Sequence, residues 1–189
     1  MRCLLCLRLS INSICKKCQE RLLKPTIYTR NLECGQKVYS LYPYNEIEEL
    51  ILTKHSDMGH SVYRLLSLKL ADVAYKVFGN LCTVVPLESK KIGTYSHTAL
   101  LAKGFKKRGF KVALGALQDR SGYNYGGKTL EYRLKNQRDF ELKKEVEDVL
   151  LVDDIITTGV TFSSAISTLK TQGIEIVGCM TLSDARNIS

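Results

Sequence analysis

Hydrophobic and polar positions change rhythm along this chain, and each rhythm predicts a different element. Around Val38-Tyr39-Ser40-Leu41-Tyr42 the β-formers alternate, and turn residues from Pro43 to Asn45 close the run, which predicts a strand. Over 46–52 and 59–78 apolar residues recur every three or four positions, as at Val62, Leu65, Leu66, Leu70 and Val73, which predicts two helices separated by a break at 56–59. Beyond residue 80 short, continuous apolar runs take over, at 81–85, 112–116, 149–152 and 174–181. Runs of this kind suit parallel strands covered on both faces. With helices expected over 95–107 and 161–172, the order becomes strand, helix, strand, loop, strand, helix, strand. The expected fold class is therefore α/β, a doubly wound and mainly parallel sheet with right-handed crossovers.

The first 35 residues do not share this pattern. They carry Cys3-x2-Cys6 and, after eight residues, Cys15-x2-Cys18. Each Cys-x2-Cys knuckle brings two thiolates to one side of a tight turn, and two knuckles supply the tetrahedral sulfur set that Zn2+ prefers. A segment this small cannot fold by burial alone, so metal binding would contribute the folding free energy, on the order of 10 kcal/mol. With every ligand position filled by protein, such a Zn2+ is structural. Two alternatives stay open, Cys34 as a replacement ligand and a set of free surface thiols. The expected organisation is a small four-cysteine zinc ribbon over 1–35 and an α/β domain over 36–189. Cys82 and Cys179 fall within apolar runs and read as small buried side chains.

The segment 149–161 carries the clearest chemistry. Four apolar residues end on Asp153 and Asp154, and Ile155, Ile156, Thr157, Thr158, Gly159, Val160 and Thr161 follow, the last opening a helix. Ligands of open α/β sheets bind beyond the carboxyl ends of the strands. Thr157, Thr158 and Gly159 can turn amides and hydroxyls to one point at the positive end of the next helix, an arrangement that holds a phosphate dianion. Two carboxylates beside an anion site need a reason to be there, and ribose hydroxyls supply one by donating hydrogen bonds to Asp153 and Asp154.

Here the chain resembles the type I phosphoribosyltransferases. Their loop for phosphoribosyl pyrophosphate (PRPP) has four apolar residues, two acidic residues, a linker and Thr-Gly-x-Thr, and every position from 149 to 161 conforms. The resemblance implies that the acidic pair binds the ribose of PRPP, that the loop binds its 5′-phosphate and that Mg2+ accompanies the pyrophosphate. Four N-terminal cysteines, a helical stretch and this loop together look like the competence protein ComF family, associated with natural transformation and with incoming single-stranded DNA. Val84-Val85-Pro86-Leu87 resembles that family's lead-in to a pyrophosphate-binding loop, and Leu100-Leu101-Ala102-Lys103 again follows it. Between them stands Lys90-Lys91-Ile92-Gly93-Thr94-Tyr95-Ser96-His97, where the family shows Arg-x-x-x-Arg-Gly-Phe-Asn-Gln. His97, at the Gln position, could reach the pyrophosphate loop. The segment 122–140, with Arg133 and Asn136, resembles the family's flexible loop over the site. Lys90, Lys91, Lys128 and Arg133 could supply charge to a leaving pyrophosphate, but no residue selects an acceptor base. The resemblance thus implies a PRPP-binding protein of DNA uptake, working with a ComF-type helicase. The alternative is a Mg2+-dependent phosphoribosyltransferase acting on a nucleobase or an amine.

Composition adds the character of the surface. The 189 residues, 44% hydrophobic, suffice for one full core. Lys and Arg number 28 against 19 Asp and Glu, and the net charge of +9 favours polyanionic partners. Lys103, Lys106, Lys107, Arg108 and Lys111 crowd a predicted helix end, and Tyr123, Tyr125 and Tyr132 lie among Arg120, Lys128, Arg133, Lys135 and Arg138. Cations interleaved with tyrosine rings suit single-stranded DNA, whereas the same residues also serve helix dipoles and solubility. No apolar run reaches the roughly 18 residues of a membrane span. Arg8 interrupts the apolar start and no cleavage-site pattern follows, so a cytoplasmic location is expected.

Overall fold

The computed structural model describes residues 1–88, 96–121 and 138–187. In chain order they form α1 (Lys16–Leu22), β1 (Tyr28–Asn31), β2 (Lys37–Pro43), α2 (Tyr44–Leu52), α3 (Gly59–Phe78), β3 (Thr83–Pro86), α4 (His97–Phe105), β4 (Lys111–Val112), β5 (Leu117–Asp119), β6 (Phe140–Leu142), β7 (Val149–Ile156), α5 (Val160–Thr171) and β8 (Ile176–Asp184). Short 3-10 turns follow α2, α4 and β8.

Six strands make one sheet in the order β1-β2-β8-β7-β3-β4. All neighbours from β2 to β4 run parallel, and only β1 is antiparallel. β7 lies at the centre and alternates between two cores. Leu150 and Val152 pack with Leu66 and Leu70 of α3 and Leu101 and Phe105 of α4. Val149 and Leu151 pack with Phe162, Ile166 and Leu169 of α5. Helices thus cover both faces, which is the doubly wound α/β arrangement expected from the apolar runs. The two helices on the first face approach closely at one point. A Cβ on Gly104 would stand 2.9 Å from the backbone carbon of Ser67, so this α3–α4 crossing requires glycine.

The strand ends differ from expectation in ways that matter for the site. β7 continues past Val152 to Ile156 because β8 runs on beside it, pairing Asp153 with Thr181, Ile155 with Ser183 and Ile156 with Asp184. The acidic pair therefore lies within the ladder rather than after it. β4 is only two residues long, and Ala113 to Gly115 lead instead to β5, which pairs with β6 in a separate two-stranded ribbon. β1 has no apolar signature; it is a mostly exposed edge strand, Tyr-Thr-Arg-Asn, joined to β2 through a turn at Gly35, whose φ is +82°. This hairpin lies across the Cys34-Gly35 position.

Among the described residues no helix is long and apolar enough to cross a membrane.

Candidate functional site

The pleat of β7 sends its two carboxylates to opposite faces. Asp153 faces the α5 side and stays partly exposed, while Asp154 is buried at 4% exposure on the α3–α4 side. Asp154 Oδ2 sits in a basic and hydroxylic nest. Lys54 Nζ donates to it at 2.9 Å, the Tyr63 hydroxyl donates to it at 3.2 Å, and His97 Nε2 stands at 3.5 Å. The same hydroxyl lies 3.1 Å from the carbonyl of Ile51, and the Tyr63 ring meets His97 edge-on. These partners come from the turn after α2, from α3 and from the start of α4, so one carboxylate ties three segments to the end of β7.

The surroundings drive the two acids apart. Burial acts to raise Asp154, but Lys54 and then His97 reverse this and hold it below the ordinary carboxylate range. Asp153 is pushed well above that range, first by burial and then by the charge of Asp154, with Arg138 opposing. Lys54 in turn rises despite its burial, because Asp154 favours its charged form. Burial lowers His97 and so favours its neutral form, with Asp154 opposing. The surroundings thus disfavour a second charge on Asp153, and Lys54 compensates that of Asp154.

Beyond Ile156 the chain turns through Thr157, Thr158 and Gly159 into α5. Gly159 has a φ of +88°, a region that L side chains rarely adopt, and a Cβ there would also approach Leu32 Cδ2 to 2.6 Å. The Thr158 hydroxyl accepts from the Val160 amide at 3.3 Å at the helix start. Arg30 of β1 reaches the same loop from below, donating from Nη1 to the carbonyl of Thr157 and from Nη2 to that of Thr158, the latter at 3.0 Å. Its Nη1 lies 3.7 Å from Asp184, which Arg186 also holds at 2.6 Å. Val160 and Thr161 open α5, as expected, within one residue of the predicted start.

The four knuckle cysteines form a second centre. The sulfurs of Cys3, Cys6, Cys15 and Cys18 lie within 4.8 Å of one another, and Cys6 and Cys15 are 3.7 Å apart. A tetrahedron built on Zn–S bonds of about 2.3 Å has edges near 3.8 Å, so this set could hold a zinc ion. Burial would raise Cys3, yet amides led by that of Cys15 outweigh it and bring the thiol down to about 6, already thiolate at neutral pH. Cys18, buried and facing the other sulfurs, is pushed up to about 12. Cys34 is exposed and stands outside the cluster. Cys3 and Cys18 share the core that contains α3 and α4.

Of the remaining expected site residues, Lys103, Lys106, Lys107 and Arg108 are exposed at the C-terminal end of α4. Arg108 there pairs with Asp72 of α3 at 2.5 Å. Lys90, Lys91, Tyr123, Tyr125, Lys128 and Arg133 lie outside the described residues. Lys54, Tyr63 and Arg30 were not legible as site residues. Lys54 follows a helix by one turn with nothing to mark it, Tyr63 sits at a helical core position, and Arg30 lies in a strand with no apolar pattern. Only topology brings them to β7. His55 is exposed in the turn after α2, and His60 is exposed at the start of α3, on the side of Ile14 and Gln19.

Residues 99–187, just under half of the chain, match the phosphoribosyl transferase domain family. The fold is similar to a hypoxanthine phosphoribosyltransferase from Staphylococcus aureus, with a TM-score of 0.42 and 18% identity over 66% of this chain and 64% of that one. It is similar to an adenine phosphoribosyltransferase from Rhodothermus marinus, with a TM-score of 0.46 and 18% identity over 89% and 86% of the two chains. An orotate phosphoribosyltransferase from Aeropyrum pernix gives 0.40 and 17% over 89% and 80%. No curated protein sequence matches the chain significantly.

Proposed function

We propose that this chain binds a 5′-phosphorylated ribose, PRPP above all, at the end of β7, and that it serves as a ComF-like protein handling single-stranded DNA during uptake in natural transformation. The observation that carries the ligand reading is the passage from Asp153 through the Thr157–Thr158–Gly159 turn into α5. A loop of this kind at a twelve-residue helix offers amides and the positive end of the dipole to a phosphate. The pairing of Lys54 with Asp154 supports the same reading, since it offsets one carboxylate beside the anion site while the surroundings disfavour charge on the other. Asp153, the less buried of the two carboxylates, would accept hydrogen bonds from the ribose hydroxyls, and Asp154 would act from within. Mg2+ would enter with the pyrophosphate of PRPP. Residues 1–35 would be the zinc-bearing module and 36–189 the ligand-binding domain, in the cytoplasm.

The DNA part of the proposal rests on the ComF resemblance and on the exposed cations at the far end of α4. A DNA-uptake helicase is the protein partner it implies. A second reading, transfer of phosphoribose to a nucleobase or amine, is favoured by the domain match over 99–187. Titration calorimetry with Mg2+ and either PRPP or ribose 5-phosphate tests the ligand reading, and the absence of binding at millimolar concentration would refute it. Pyrophosphate release from PRPP upon addition of a defined acceptor would replace the binding role by the enzymatic one.

A further inference from the structure

Arg30 lies far from the phosphate loop in sequence, yet its guanidinium spans two consecutive carbonyls of that loop, those of Thr157 and Thr158. A peptide unit is planar and trans, so the amide N–H points opposite to the carbonyl of the same unit. The carbonyl of Thr157 shares its plane with the amide of Thr158, and the carbonyl of Thr158 shares its plane with the amide of Gly159. Fixing both carbonyls toward Arg30 therefore fixes both amides toward the other side, where the phosphate would lie. We infer that Arg30 is the positioning residue of the phosphate loop, orienting the Thr158 and Gly159 amides through their carbonyls. This inference rests on the phosphoribose reading of the site and adds how the loop is held in binding geometry.

Two further observations support it. Asp184, 10% exposed in its side chain, contacts Arg30 on the side of Nη1, and it is itself held by Arg186, so the guanidinium plane is fixed from behind. Leu32, two residues along the same hairpin, lies beneath Gly159 so closely that a Cβ would collide with it. The β1–β2 hairpin thus supports the loop at three successive residues. Arginine suits this task and lysine does not, because only a planar fork presents two donors at a fixed spacing. The guanidinium also retains its charge, which adds positive potential under an anion site.

The test compares wild-type protein with Arg30→Lys, Arg30→Met and Arg30→Ala as full-length chains, using ribose 5-phosphate as the probe. Calorimetry should show a weakening of about tenfold to a hundredfold in all three variants, the loss associated with a charge-assisted hydrogen-bond pair. Circular dichroism and metal content should stay at wild-type values for Arg30→Lys, which retains a cation beside Asp184. Millimolar guanidinium should restore part of the affinity to Arg30→Ala, whereas methylammonium should not. In the wild-type chain, ribose 5-phosphate should shift the amide resonances of Thr158 and Gly159 more than those of β7, a measurement that stands even where a variant fails to fold. Wild-type affinity in Arg30→Lys, or unmoved Thr158 and Gly159 amides in a chain that binds the probe, overturns the positioning role alone. A wild-type chain that binds neither ribose 5-phosphate nor PRPP overturns the ligand reading together with it.

Discussion

Lys54 Nζ donates to Asp154 Oδ2 at 2.9 Å, and both side chains are largely buried, at 19% and 5% exposure. The pair closes the gap between the turn after α2 and the central strand, with Tyr63 and His97 completing the carboxylate's surroundings. Breaking a buried pair from one side leaves the other charge without compensation. Asp154→Asn should therefore cost about 3–5 kcal/mol of stability, read as a lower urea midpoint at pH 7. Lys54→Met should cost less, because Asp154 keeps Tyr63 and can take up a proton.

The same contact makes stability depend on pH on the acid side. Asp154 is held below the ordinary carboxylate value of about 4, so between the two values the unfolded chain binds more protons than the folded one. Its contribution is complete above about pH 4 and is lost as pH falls through the folded pKa. The groups around it are Lys54, His97, Tyr63, Tyr44 and Asp153. Denaturation midpoints measured from pH 6 down to pH 3 should fall more steeply in wild-type protein than in Asp154→Asn. Equal slopes would place the acid sensitivity elsewhere.

Asp153 has the opposite sign. Its folded pKa is raised, so it holds its proton to higher pH than in the unfolded chain, and that part of the stability declines as pH rises through the folded value. Ribose hydroxyls would donate to the ionised form and favour it. Binding of ribose 5-phosphate should therefore release a proton, detectable by calorimetry in buffers of different ionisation enthalpy, and affinity should rise with pH. Asp153→Asn keeps an oxygen for the Asp154 amide, which lies 2.8 Å from Asp153 Oδ1, and should fold normally while the proton release falls below that of wild type. Undiminished proton release in Asp153→Asn would mean that the proton comes from another group, such as the ligand's own phosphate, whose second pKa is about 6.

The cysteine cluster shares its core with α3 and α4, so metal loss should reach beyond the knuckles. One zinc per chain is expected on metal analysis. Cys3→Ser should lower both zinc content and global stability, the latter by about 2–5 kcal/mol, because it removes a ligand and opens a fully buried position. A full-length chain purified under zinc-replete conditions without bound metal would refute this assignment.

Much of this arrangement was legible in the chain because it is written in local pattern. The helix over 59–78 has the ends its periodicity predicts, and α5 begins within one residue of its predicted start. The acidic pair, the Thr-Gly turn and the cysteine knuckles are contiguous, so spacing alone groups them. What pattern misses is decided by partners. β7 extends to Ile156 only because β8 provides the ladder, and β1 exists only as an edge to β2. Arg30, Lys54 and Tyr63 gain their roles from pairings across 91 to 128 residues of sequence, which no periodicity encodes.

The cations at the end of α4 permit a last separation. α4 runs nine residues from His97, beside Asp154, to Phe105, about 14 Å along its axis, and Lys106 and Lys107 lie beyond that end. DNA bound there would occupy a surface distinct from the phosphate loop. Arg108 is a poor choice for testing it, since reversing its charge would also break the pair with Asp72. Lys106→Glu with Lys107→Glu leaves that pair in place. Single-stranded DNA should then bind about tenfold or more weakly, with the salt slope reduced by about 1.4 for two lost phosphate contacts. Ribose 5-phosphate affinity should stay within about twofold of wild type, since charges separated by more than the Debye length of about 8 Å are largely screened. Unchanged DNA binding would remove this surface from the proposal, and a parallel loss of both ligands would mean that they share one site.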